Sequence, residues 1–113
     1  MHELGLLYQT AETATRYAEE NGIDMVKSIA IEIGELSGAL PNIFTELFPM
    51  IAERFPRLKS AELQLTTVPG EGLCLDCHCL YNIMRQEGVC PRCGSRDKTT
   101  LGGKDVRLMS IGY

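Results

Sequence analysis

The sequence predicts an α/β fold: two helices packed on a small sheet of about three strands, with a zinc-ribbon-like module inserted between two of the strands. Three observations carry this. Apolar residues recur at helical steps near the start of the chain. Two later stretches alternate with a period of two. Two Cys-x-x-Cys pairs lie between glycine-containing boundaries.

The elements follow in chain order. Residues 4–21 read as an amphipathic helix, with Leu4, Leu7, Ala11, Ala14 and Ala18 as one apolar stripe and Glu12, Arg16, Glu19 and Glu20 off it. Asn21-Gly22 is a helix stop. Residues 25–33 read as a strand, because Ile29, Ile31 and Ile33 alternate with Ser28, Ala30 and Glu32. A second helix is expected from Pro41 to about Arg54, with Phe44, Leu47, Phe48 and Ile51 on one face. Pro49 removes a helix hydrogen bond and crowds the preceding turn, so a kink or an early end is expected there. Residues 61–68 read as another strand. Residues 105–111 read as a last one, with apolar residues on both faces that leave its orientation open. The main domain is expected at 1–70 and 102–113, and the inserted module at 71–101.

Composition narrows the function. The 113 residues are 44% hydrophobic and 23% charged, which is globular in character. Net charge is -4, from 11 basic and 15 acidic residues, an argument against nucleic-acid binding in general. No apolar run approaches the roughly 18 residues of a membrane span, and the N-terminus lacks the basic and apolar regions of a signal peptide. The expectation is a cytoplasmic protein without membrane contact, whose five cysteines stay reduced.

Cys74-Leu-Asp-Cys77 and Cys90-Pro-Arg-Cys93 are separated by twelve residues. Zinc takes four soft ligands at tetrahedral corners, and each Cys-x-x-Cys turn brings two thiolates to one side of the ion. Cys74, Cys77, Cys90 and Cys93 are therefore the candidate ligands of a structural Zn(2+). An iron site of the rubredoxin type uses similar spacing. A redox disulfide would need only one pair, in a βαβ setting that is missing here. The module is poor in large apolar residues, so metal binding is expected to supply its folding energy. His78 and Cys79 offer alternative ligands. Cys77 is preferred because it keeps the two-residue spacing from Cys74.

Met1-His2-Glu3 presents a terminal amine, an imidazole and a carboxylate within three residues. Nickel(II) favours nitrogen and oxygen donors and accepts a square plane, which the amine, the following amide nitrogens and an early imidazole can supply. A histidine near a terminus is more often a solvated surface residue. An acid in the first helical turn also complements the helix dipole without any metal.

Taken together, these motifs resemble the HypA/HybF family of hydrogenase nickel-incorporation proteins. The residues that carry the resemblance are the opening Met1-His2-Glu3-Leu4, the run Ile31-Glu32-Ile33-Gly34-Glu35-Leu36-Ser37-Gly38, the two cysteine pairs with Cys90-Pro91-Arg92-Cys93-Gly94, and Gly102-Gly103-Lys104-Asp105 before the last strand. They run in order over the whole chain. The resemblance implies a nickel metallochaperone, not an enzyme. It implies that His2, with Glu3 and Met1 beside it, takes transient Ni(2+) and that the four cysteines hold zinc. It also implies a partner hydrogenase-maturation GTPase, and a hydrogenase large subunit, or in some members urease, as client. Pro49 and the pair His78-Cys79 depart from the usual pattern. The expected state is a monomer or weak homodimer, with strand exchange at the glycine-rich hinges as a route to pairing.

Two other readings compete. A zinc-ribbon adaptor would bind protein or nucleic acid without nickel, yet its basic residues Arg85, Arg92, Arg96 and Lys98 are scattered and Tyr81 is its single aromatic residue. An enzyme would need a catalytic set or phosphate loop, and the sequence shows neither.

Overall fold

The computed structural model describes residues 3–113, so Met1 and His2 lie outside the described residues. Helix α1 spans Glu3–Glu20, strand β1 Ser28–Gly34 and helix α2 Pro41–Ala52. Strand β2 spans Glu62–Val68, and β3 (Glu71–Cys74), β4 (Leu80–Asn82) and β5 (Lys98–Gly102) follow, before β6 at Val106–Gly112. Two three-stranded sheets result, ordered β2-β1-β6 and β4-β3-β5. The radius of gyration is 17.4 Å and the extents 54 × 26 × 17 Å. A compact chain of this length would measure about 13 Å, so the sheets lie along an elongated molecule.

The first sheet carries the main core. Helix α1 buries Leu7, Ala11, Ala14 and Ala18. Three alanines make that stripe thin and allow close packing. Leu4, expected on the stripe, is 47% exposed, and the buried residue at this end of the helix is Glu3. The helix stops as Asn21-Gly22 predicts. Gly22 takes φ +67, and Ile23 N donates to Ala18 O at 2.8 Å while Gly22 N donates to Glu19 O at 3.4 Å, the paired bonds of a Schellman ending. Helix α2 starts with Pro41 and runs through Pro49 to Ala52, so it does not stop at the proline, and its end lies close to the expected Arg54. Phe44, Phe48 and Ile51 are buried on its inner face. Tyr8 and Phe55 meet edge-on, their centroids 5.3 Å apart, and tie α1 to the segment after α2.

Strand β1 lies at the sheet centre, parallel to β2 and antiparallel to β6. Its Ile29, Ile31 and Ile33 are fully buried, as the alternation predicts. The two apolar faces of β6 have a simple cause. The β1–β6 register shifts between Ala30 and Ile31, where Ser110 and Leu108 are the successive partners, leaving Met109 as the extra residue of a bulge. Val106 and Leu108 reach the core before the bulge and Ile111 after it, so the inward parity changes along the strand.

Candidate metal centre

The second sheet frames a pair of matching turns. In the first, Cys74 N donates to Cys79 O at 2.9 Å and His78 N to Cys74 O at 3.0 Å. In the second, Cys90 N donates to Ser95 O at 2.9 Å and Gly94 N to Cys90 O at 2.9 Å. His78 at φ +63 and Gly94 at φ +78 occupy equivalent left-handed positions. Residues 74–79 and 90–95 are therefore two copies of one loop. This repeat gives the unusual His78-Cys79 pair a structural account. His78 stands where the second copy has glycine, at a conformational cost glycine avoids. Cys79 stands where the second copy has Ser95.

The loops bring Cys74, Cys77, Cys90 and Cys93 together, with all four sulfurs within 4.8 Å of one another. Across the loops, Cys74 Sγ lies 3.6 Å from Cys93 Sγ, and Cys77 Sγ 3.5 Å from Cys90 Sγ. An ion with sulfur ligands at about 2.3 Å sets tetrahedral corners about 3.8 Å apart. The spacing fits such an ion, and none of the four is in a disulfide. Cys74 and Cys90 are buried, Cys77 is half-buried and Cys93 is exposed. Cys79 is outside the cluster, its Sγ donating to Leu80 O at 3.4 Å.

The electrostatics suit a cation. Burial disfavours the Cys90 thiolate, but the N–H groups of Cys93 and Arg92 and the thiols of Cys77 and Cys74 outweigh it and draw Cys90 down to about 6. The Cys79 amide favours the Cys77 thiolate, while burial and the three neighbouring thiols push Cys77 up to about 12. Amides thus prepare one thiolate, and a dication at the centre would bring the others down with it. Four soft donors in a closed tetrahedral set are the chemistry of structural zinc, which in such a site fixes the two loops together. Contacts around the cluster that sequence reasoning missed assist. Ser95 Oγ donates to Asp76 Oδ2 and joins the loops, and the Tyr81 ring is buried against the cysteines. Aligning His78-Cys79 with Gly94-Ser95 would have exposed the loop repeat from sequence.

At the start of α1, Glu3 is only 9% exposed, and its Oε2 accepts a hydrogen bond from Leu40 N at 3.2 Å. That bond ties the start of α1 to the loop leading into α2. Met1 and His2, the other candidate nickel residues, lie outside the described residues.

The family described as hydrogenase/urease nickel incorporation, metallochaperone, HypA matches the chain over residues 1–113. The chain belongs to this family. Its function is accordingly that of a nickel metallochaperone for hydrogenase/urease nickel incorporation. The hydrogenase maturation factor HybF of Klebsiella pneumoniae is 32% identical over 111 residues, covering 98% of this chain and 97% of its own. The hydrogenase maturation factor HypA of Rhizobium leguminosarum bv. viciae is 31% identical over 112 residues, with coverages of 98% and 97%. The solution structure of the Ni metallochaperone HypA from Helicobacter pylori matches with a TM-score of 0.71 at 25% identity, covering 99% of this chain and 97% of that one. Among the described residues no helix is long and apolar enough to cross a membrane.

Proposed function

We propose that this chain takes Ni(II) at its N-terminus, with the His2 imidazole, the terminal amine of Met1 and neighbouring main-chain nitrogens as donors, and passes it on without catalysing a reaction. The observation that carries the reading is the match to a nickel-incorporation family over residues 1–113, the Met-His-Glu opening included. Glu3 contributes next to the ligands. Its buried carboxylate is held by Leu40 N, so its main-chain nitrogen is the part offered to nickel and its side chain anchors the donors at the helix start. Donors drawn mostly from one short terminal segment can be removed one at a time by a recipient's ligands, which suits a cargo that must be released. Proton competition for the imidazole and amine makes uptake weaken as pH falls.

The recipients are a maturation GTPase and then the hydrogenase large subunit, in the cytoplasm, and the four clustered cysteines hold zinc permanently. The 1–70/102–113 part is the nickel-handling domain and residues 71–101 the zinc module.

Calorimetric nickel titration of tag-free protein, with zinc assayed in the same sample, tests this. Wild type is expected to bind about one nickel and hold one zinc, and His2→Ala to keep the zinc and lose the nickel. Equal nickel binding by both proteins would refute the N-terminal site.

A further inference from the structure

Only two stretches of chain join the first sheet to the cysteine module: the one leaving β2 through Pro69-Gly70 and the one returning through Gly103 to β6. They pass in contact. Gly103 takes φ +85, and a Cβ there would lie 2.5 Å from the Pro69 carbonyl oxygen. Gly70 lies under the Leu36 side chain, where a Cβ would fall 2.5 Å from Leu36 Cγ. Both crossings thus depend on glycine, whose backbone rotates most freely.

One side chain spans this joint. Glu35 lies in the 3-10 turn Glu35–Ser37 that follows β1. Its Oε1 accepts from Gly70 N at 2.7 Å and from Asn82 Nδ2 at 3.0 Å. Gly70 belongs to the crossing, and Asn82 to β4 inside the module. The turn that carries Glu35 is fixed by Leu36 N donating to Gly103 O at 2.7 Å, Gly34 N to Asp105 O at 2.8 Å and Ser37 Oγ to Gly34 O at 2.7 Å. On the module side, Asn82 Oδ1 accepts from Arg85 N at 2.8 Å, and Ile83 N donates to Gly70 O at 2.8 Å. A fixed post, a crossing strand and the module therefore meet at one carboxylate oxygen. Among the described residues, Glu35–Asn82 is the only side-chain hydrogen bond between residues 71–101 and the rest of the chain. An ionised acceptor makes both of its bonds stronger than neutral ones.

We propose that Glu35 is the latch that fixes the orientation of the cysteine module against the helical domain, and that breaking its bond to Asn82 lets the module swing about Gly70 and Gly103. The latch decides how the two ends of this elongated molecule are presented to a partner. A partner cation that captured the Glu35 carboxylate would release it. The idea is independent of where nickel binds.

Residual dipolar couplings on the zinc-loaded full chain test the latch. In wild type both parts are expected to fit one alignment tensor. Asn82→Asp keeps the acceptor that Arg85 N uses, removes the donor to Glu35 and faces it with a second carboxylate. It is expected to split the couplings into two tensors at unchanged zinc content. Should that variant lose zinc, Glu35→Ala, a change outside the module, gives the same reading. Glu35→Gln keeps the acceptor and is expected to retain one tensor. A single tensor in both Asn82→Asp and Glu35→Ala, or two tensors already in wild type, would overturn the proposal.

Discussion

The helical domain and the cysteine module solve the same problem by different chemistry. Among the described residues, the first buries fifteen in one apolar cluster around Phe44, Leu7 and the β1 isoleucines. The second buries three, Cys74, Tyr81 and Cys90, two of them cysteines of the metal cluster. Full burial of a Leu, Ile or Phe side chain is worth roughly 1.5–3 kcal/mol, so the larger part closes on its own packing. The smaller part has nothing comparable. A structural zinc is worth about 10–16 kcal/mol in isolated zinc-finger peptides, enough to replace a missing core. The contrast shows why the module can be an insertion: its fold requires little from its host beyond two crossings, and the latch sets only its orientation.

That contrast can be broken from either side. The largest effect is expected in the core. Phe44→Ala removes a ring with 0% exposure and should cost about 3–5 kcal/mol, seen as a lower denaturant midpoint in circular dichroism. Zinc should stay bound up to that midpoint. Metal loss ahead of unfolding would mean that the module leans on the core more than its contacts indicate. A smaller effect is expected at the joint. The Gly70 amide first, and the Asn82 side chain second, hold the Glu35 carboxyl below its ordinary value of 4.5. The fold thus favours the ionised form. Its contribution is complete above that ordinary value and fades as pH falls through the lowered one. Wild type and Glu35→Gln, compared by denaturation from pH 7 to pH 3, should differ by a constant amount near neutrality, with the difference changing only below about pH 4.5. A change in that difference between pH 7 and pH 5 would remove Glu35 from the account.

The sequence was most legible where one local rule acted alone. The alanine stripe of α1, its Asn21-Gly22 stop, the β1 isoleucines and the two Cys-x-x-Cys pairs each follow from a fixed spacing, and each takes its place accordingly. It was least legible where a distant partner decided. Glu3 read as a dipole-facing acid or a nickel neighbour, yet Leu40 N draws its carboxylate inside. Leu4 fitted the apolar stripe, but the buried line of Leu7, Ala11, Ala14 and Ala18 continues back through Glu3, which leaves Leu4 half-exposed one residue round the helix. Strands β3, β4 and β5 are too short for periodicity, and they form because the two loops and the crossings bring them side by side. The bulge in β6 switches the inward face within a seven-residue strand, which no fixed period can follow. Glu35 and Asn82 are 47 positions apart, and nothing local to either marks the other.

Metal holds the module and packing holds the helical domain. Amide spectra recorded while a strong chelator strips zinc from the full chain test it most directly. Resonances of residues 71–101 are expected to lose their dispersion while those of α1, β1 and α2 keep their positions. Collapse of both sets together, or survival of the module without its metal, would contradict it.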